Sequence, residues 1–200
     1  MESRAHDYSI PKDIRLHTNY HGSIPRKHFD KWTRWYQEDG NTQVFRLFKG
    51  ERNVRNSREY PGRVETFSEL EWQRGEWHEW EGSFTIVKPH TASIFQVKAN
   101  EHAWSVMINL TPNGDIRLNH RRNNEDKVLA RNMTGRSFRL KVRDNGHDYE
   151  VYFNGRFVGS GHFARPGDST KFRWGLYVAS NSGKEMASDA MIFVSDVKFK

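Results

Sequence analysis

Three short segments of the chain carry charged and amide side chains at every second position. They are Arg63–Glu65, Gln96–Lys98 and Lys171–Tyr177. Because alternate residues of a β-strand point to the same face, each segment would present its polar side chains together. Guanidinium, ammonium and amide groups bind carboxylates, whereas a tyrosine or a neutral lysine can transfer a proton. Gly175, inside the third segment, is typical of a strand that another group approaches closely. These patterns predict a cationic binding surface for an acidic ligand.

The elements that must position these residues are β-strands. Apolar and polar residues alternate over long stretches, for example through Phe138–Arg143 and Lys171–Val178, as is typical of half-buried antiparallel strands. Asn-Gly pairs at Asn113, Asn145 and Asn154 supply the residues that tight hairpin turns require. About eleven or twelve strands follow, which is too many for one open sheet. We therefore expect a single two-sheet antiparallel β-sandwich of the jelly-roll type. Its inward residues would be Phe95, Val97, Phe138, Leu140, Phe172, Trp174 and Leu176.

Before residue 43 the pattern differs. Residues 1–42 are predicted to form an N-terminal arm with one short helix near Phe29–Tyr36, packed on a jelly-roll domain of residues 43–200. Two prolines, Pro11 and Pro25, punctuate the arm. A chain of 200 residues is long enough to bury a substantial core without disulfides.

Composition restricts the classes of function. The chain has no cysteine, a formal net charge of +7 and a pI near 9.7, which excludes thiolate chemistry and favours a polyanionic partner. Acidic residues are interleaved with the basic ones and no nucleic-acid motif is present, so we expect no nucleic-acid partner. No apolar run approaches the roughly 20 residues of a membrane span, so we expect no membrane partner either.

The ten histidines form no HExxH pair, and Asp144–Asp148 is predicted to be a hairpin turn rather than a calcium loop. We expect no metal, no cofactor and a monomer.

The three segments occur in the order seen in the jelly-roll polysaccharide lyases of concanavalin A-like fold, such as alginate lyases, and the chain resembles this group over roughly residues 43–199. The group carries R-x-E, then Q-x-H, then Y-x-K-x-G-x-Y. Here the matching residues are Arg63 and Glu65, then Gln96, then Arg173, Gly175 and Tyr177. The stretches Trp77–Ile86 and Asp148–Val158 are also similar. The chain departs from the pattern at two positions, where Lys98 replaces the histidine and Lys171 replaces the first tyrosine.

The resemblance implies cleavage of a uronate-containing polysaccharide by β-elimination. Arg63 and Gln96 would neutralise the C5 carboxylate, while Tyr177 and Lys98 would handle the protons. The residues expected to bind substrate are Glu65, Glu69, Lys171, Arg173 and His120. The same resemblance implies a secreted protein.

Two other functions use the same sandwich. A non-catalytic carbohydrate-binding module needs only the cationic surface, and it would explain the loss of the histidine and the tyrosine. A glycoside hydrolase would need two carboxyl groups at a fixed separation, for which Glu69 and Glu71 are the candidates if they share one strand face. Detection of an unsaturated product from polyuronates would separate the lyase from the binder.

Overall fold

The computed structural model describes residues 9–51, 62–99, 103–121, 125–165, 169–178 and 186–200. Apart from one 3₁₀ helix, Arg26–Trp32, the regular elements described are strands. Numbered along the chain, the strands are β1 (Ile14–Thr18), β2 (Tyr36–Asp39), β3 (Thr42–Leu47), β4 (Arg63–Ser68), β5 (His78–Lys88), β6 (Ala92–Lys98), β7 (Trp104–Leu110), β8 (Ile116–His120), β9 (Glu125–Ala130), β10 (Ser137–Asp144), β11 (Asp148–Phe153), β12 (Arg156–His162), β13 (Lys171–Tyr177) and β14 (Ala190–Phe199).

The strands form two antiparallel sheets of seven strands each. The front sheet has the order β1-β4-β13-β6-β7-β8-β9, and the back sheet has the order β12-β11-β10-β5-β14-β3-β2. The predicted jelly-roll sandwich is confirmed, and the seven residues expected to point inward are all buried. The three Asn-Gly pairs lie between consecutive antiparallel strands, and each glycine has a positive φ. Asp144–Asp148 is accordingly a hairpin turn, with Gly146 at φ 82°.

The N-terminal segment contributes a strand to each sheet, where the sequence predicted an arm packed outside. Strand β1 pairs with β4, and β2 pairs with β3. Ile14, Leu16 and Thr18 are buried while the residues between them are partly exposed, so β1 has the same two-residue period as the other strands. The helix, Arg26–Trp32, begins and ends before the expected range of Phe29–Tyr36. It cannot extend to Tyr36, because β2 begins there.

A buried polar cluster ties β13 to the back sheet. The Nε1 atom of Trp174 donates to Oε1 of Gln43 at 2.8 Å, and the Gln43 amide donates to the hydroxyl of Tyr36 at 2.9 Å. All three side chains are almost fully buried. Because buried polar groups are costly when unpaired, these bonds specify how β13 lies over the opposite sheet.

A second buried cluster surrounds Asp144, at the end of β10. Its carboxylate accepts hydrogen bonds from Trp72 Nε1 at 3.0 Å and from Arg165 Nη2 at 2.6 Å, and a longer one from Ser105 at 3.3 Å. The side chains of Asp144 and Arg165 are fully buried. Burial raises the pKa of Asp144, and the Arg165 charge opposes that rise. Trp72 lies in the β4–β5 connection. Ser105 lies in β7 of the front sheet and Asp144 in β10 of the back sheet, so their hydrogen bond joins the two sheets.

Among the described residues, the structure has no helix long and apolar enough to cross a bilayer.

Candidate functional site

The candidate site lies on the front face, defined as the face of the front sheet that points away from the back sheet. Strands β4, β13 and β6 are neighbours in this sheet, so the three segments singled out in the sequence lie side by side. Val64, Phe95 and Trp174 belong to the core, and alternation places Glu65, Gln96 and Arg173 on the front face. Arg173 is the register partner of Gln96.

Glu65 is at the centre of the cluster and is fully buried. Its Oε2 atom accepts a hydrogen bond of 2.7 Å from the Gln96 amide. Its Oε1 atom lies 3.6 Å from Nε of Arg63 and 3.7 Å from Nε of Arg173. One carboxylate thus holds two guanidinium groups and an amide together, and one positive charge remains in excess.

The structure adds His17, on β1, which the sequence analysis did not identify. Its Nδ1 atom lies 3.1 Å from Nη1 of Arg63 and 2.6 Å from Nη2 of Arg173. Guanidinium nitrogens only donate, so Nδ1 is the acceptor and a neutral His17 ring carries its proton on Nε2. His17 is also the register partner of Glu65. The alternation of Ile14–Thr18 was the available signal for a strand here.

Arg63 also connects the cluster to Tyr177. The guanidinium carbon lies 4.1 Å from the centroid of the Tyr177 ring, and these two residues are register partners. The backbone nitrogen of Arg63 donates to the side chain of Asn19. The phenol of Tyr177 therefore lies next to a side chain that can bind a carboxylate, which is the placement that a proton-transfer group requires.

Gly175 has a different role from the one that the sequence suggested. At φ 137° a Cβ atom there would lie 2.4 Å from the carbonyl oxygen of Val64 and 2.9 Å from the Phe45 ring. The close approach is therefore by the neighbouring strand and the core of the same chain. Glycine is needed because other residues rarely adopt this φ and because no space remains for a side chain.

Lys98 and Lys171, which depart from the lyase pattern, face each other across β6 and β13 as register partners. The ammonium of Lys171 lies 3.5 Å from a carboxylate oxygen of Glu71. Glu69, on the other hand, contacts Arg15 at 3.8 Å. Strand β4 ends at Ser68, so Glu69 and Glu71 do not alternate on one strand. Glu69 and Glu71 therefore do not form the carboxyl pair on one strand face that a hydrolase would need.

His120 lies away from this cluster. In β8 it follows Ile116 and Leu118 in the buried phase, which points into the sandwich, and its Nδ1 atom is 2.7 Å from the hydroxyl of Tyr149 on the back sheet. The alternation of β8 places its side chain on the core side, apart from the front-face cluster, and its role in substrate binding stays a prediction.

Burial and charge shape the electrostatics of the cluster. Burial lowers the pKa of Arg173, the Glu65 carboxylate opposes that shift, and the neighbouring Arg63 adds to it. Arg63 and Arg173 keep only small exposed fractions, 19% and 14% of their side chains. Because partial burial strengthens charge interactions, an anion at this face would be held more firmly than on an open surface.

Comparison with known proteins relates the whole sandwich to alginate lyases. An alginate lyase of polysaccharide lyase family 7 superposes with a TM-score of 0.71 at 18% identity, over 94% of each chain. An alginate lyase from Pseudomonas aeruginosa gives 0.73 at 16% identity, over 94% of this chain and 98% of its own. A variant of the family 7 alginate lyase A1-II', solved in complex with a product (GGG), gives 0.73 at 12% identity, over 94% and 95%.

The chain therefore has the jelly-roll fold of these alginate lyases, and at these identities the likeness shows the fold alone. No protein-family model matches the sequence, and no curated protein matches it.

Proposed function

We propose that this protein is a polysaccharide lyase that cleaves a uronate-containing polysaccharide by β-elimination. The observation that carries the proposal is the front-face cluster around Glu65, which gathers Arg63, Gln96, Arg173 and Tyr177 on the fold of alginate lyases. One solved neighbour is an alginate lyase in complex with its product (GGG), which supports a saccharide ligand here.

The reaction needs a group that neutralises the C5 carboxylate of the uronate. Once that charge is neutralised, the C5 proton becomes more acidic and the electron pair can move into the carboxylate as an enediolate. Arg63 supplies a guanidinium for this purpose, next to Tyr177. The Gln96 amide nitrogen carries two N–H bonds, so it can donate one to Glu65 and one to the substrate.

Proton transfer then completes the elimination. A base takes the C5 proton, the C4–C5 double bond forms, the C4–O4 bond breaks, and the departing O4 receives a proton. We assign these transfers to Tyr177 and Lys98. For Lys98 to act as the base it must be neutral, which crowding by cations promotes. Lys171 and Arg173 are neighbours of Lys98 on the adjoining strand.

The remaining cations would bind the polymer. Lys171 and Arg173 would contact carboxylates of neighbouring sugars, and Glu69, beside Arg15, would accept hydrogen bonds from sugar hydroxyls. Since this attraction is largely electrostatic, affinity should fall as salt rises through about 0.1–0.5 M. The proposal includes secretion, because a polymeric uronate does not cross a membrane. It also includes action as a monomer.

The test is incubation with a panel of defined polyuronates (mannuronate, guluronate and glucuronate polymers) while the ultraviolet absorbance of the unsaturated product is followed. A neutral glucan is the control substrate. Rising absorbance with at least one polyuronate supports the lyase. Absence of product from every polyuronate contradicts it.

A non-catalytic binding module is the second candidate, and the facing pair Lys98 and Lys171 favours it. These lysines stand where the resembled lyases have a histidine and a tyrosine, and two ammonium groups can bind carboxylates without chemistry. The expected signature is salt-sensitive binding of the same polyuronates with no unsaturated product.

A further inference from the structure

Three side chains of metal-binding type meet at one end of the back sheet, outside the front-face cluster. His147 lies in the turn between β10 and β11, Asp148 begins β11, and His162 ends β12. Asp148 and His162 are register partners. The Nδ1 atom of His162 is 2.6 Å from Oδ1 of Asp148, and the Nδ1 atom of His147 is 3.7 Å from the same oxygen. One ligand atom from each residue lies within 4.8 Å of the others.

These separations are close to those of a coordination shell. Two ligand atoms on a tetrahedral Zn²⁺ are about 3.3 Å apart, because Zn–N and Zn–O bonds are about 2.0–2.1 Å. The two imidazole rings are already in edge-to-face contact, with centroids 3.6 Å apart. Small side-chain rotations would therefore bring two nitrogens and one oxygen to bonding distance of a single ion.

The backbone beneath the three residues is held independently of any ion. The side-chain oxygen of Asn145 accepts hydrogen bonds from the backbone nitrogens of His147 and Asp148, at 3.0 and 2.6 Å. The carbonyl of His147 accepts one from Phe163, directly after His162, at 2.7 Å. A frame fixed in this way lowers the ordering cost of binding. All three side chains are partly exposed, which leaves room for a water ligand.

We propose that His147, Asp148 and His162 bind a late first-row divalent cation, with Zn²⁺ as its representative. Two imidazoles and one carboxylate suit this class, whereas Ca²⁺ and Mg²⁺ prefer all-oxygen shells. No metal is expected from the sequence, which has no HExxH pair and a hairpin turn at Asp144–Asp148. It is the sheet register that brings His162 to this hairpin. A bound ion would link the β10–β11 hairpin to the end of β12. The proposal does not depend on the proposed lyase activity.

The test uses the full chain after treatment with a chelator and dialysis, titrated with ZnCl₂ alone by calorimetry. We expect saturable binding of one equivalent and a higher melting temperature with Zn²⁺. Loss of outer-shell partners already costs about 10–100-fold in metal affinity, so removal of a direct ligand should cost at least about tenfold. His162→Ala and His147→Ala should each show that loss.

His90→Ala is the matched control, since His90 is a partly exposed histidine whose ring contacts the carbonyl of Thr91. It should bind Zn²⁺ as the unmodified chain does. Circular dichroism of each metal-free variant checks that the sandwich is intact. Unchanged affinity in the His147→Ala/His162→Ala double variant would overturn the proposal, as would absence of one-equivalent binding in the unmodified chain. Equal affinity for CaCl₂ would also overturn the assignment of nitrogen ligands.

Discussion

The Nδ1 atom of His17 lies 2.6 Å from Nη2 of Arg173, and the same atom also contacts Arg63. One imidazole on the edge strand thus orients both guanidinium groups of the front-face cluster. Because both arginines donate to the same acceptor, protonation of Nδ1 would remove both contacts at once. In the proposed lyase reaction, His17 would therefore position the two cations rather than receive the substrate proton.

Replacing His17 separates this positioning role from catalysis. His17→Leu removes the acceptor, and a hydrogen bond to a charged group contributes about 1.5–3 kcal/mol, so we expect roughly a tenfold to hundredfold loss in affinity for an oligouronate. His17→Asn keeps a side-chain acceptor and should recover part of that loss. The measurements are KM and kcat on a polyuronate. The larger change should be in KM.

His21→Leu is the control for that series. His21 lies four residues further along the chain, and its Nδ1 atom accepts a hydrogen bond from the nearby backbone nitrogen of Ser23. It should behave as the unmodified chain. A His17→Leu variant with unchanged KM would show that the arginines hold their positions without the imidazole.

Tyr177→Phe removes one hydroxyl and keeps the ring that packs against Arg63. If the hydroxyl transfers a proton, kcat should fall by about 10²–10⁴-fold while substrate affinity changes little. Tyr152→Phe is a suitable control, since Tyr152 is a partly exposed tyrosine on β11 of the back sheet that donates to Glu150. Equal turnover in the two variants would exclude Tyr177 from the proton transfers.

Lys98 can be tested through the difference between lysine and arginine. Lys98→Met should lower kcat, and Lys98→Arg should not restore it, because a guanidinium stays protonated and cannot act as a base. Lys171→Met, the change at its register partner, should mainly raise KM. Full turnover in Lys98→Arg would instead indicate that position 98 supplies only a positive charge.

The sandwich and the grouping of the front-face segments could be predicted from the sequence because both depend on local alternation. Arg63, Gln96 and Arg173 lie on three separate strands, yet each strand's period alone placed its polar residue opposite the core. Neighbouring positions of β4, β13 and β6 in the sheet then brought them together. The residues of β8 contained the same signal, since His120 shares the phase of Ile116 and Leu118. A consistent use of alternation would have placed His120 inside.

His17 and the metal-type cluster depend on pairings between distant parts of the chain. β1 is only five residues long and lies between two prolines, and its partner β4 begins 45 residues after it ends. Nothing local in the sequence states that pairing. His162 reaches Asp148 only through the β11–β12 register, which includes a bulge after Val151. A bulge shifts the register by one residue, so the facing residues could not be assigned from spacing.

The buried ion pair of Arg165 and Asp144 predicts a large stability effect. Arg165→Met would leave a fully buried carboxylate without its cation, and breaking such a pair costs about 3–5 kcal/mol. Arg131→Met is the matched control, since Arg131 pairs with Asp115 at 3.4 Å and is mostly exposed. It should cost less than about 1 kcal/mol. Urea unfolding of both variants gives the comparison, and equal losses would contradict a special role for the buried pair.

Glu81, on the outer side of the back sheet, predicts how stability depends on acid. Burial by itself would raise the pKa of this carboxyl, but the hydrogen bond from Arg139 and the charge of Lys198 outweigh it, so the pKa is lowered from its ordinary 4.5. A lowered carboxyl pKa stabilises the folded state above the unfolded value, and this contribution disappears as the pH falls through the folded value. Glu81→Gln should therefore be less stable than the unmodified chain at pH 7, and the difference should shrink below about pH 4.5.

Glu76→Gln controls for the loss of one negative charge, because the Glu76 side chain is 90% exposed. Urea unfolding at pH 7 and pH 3 measures the effect, and a difference that does not change with pH would mean that Glu81 contributes through packing rather than through its charge.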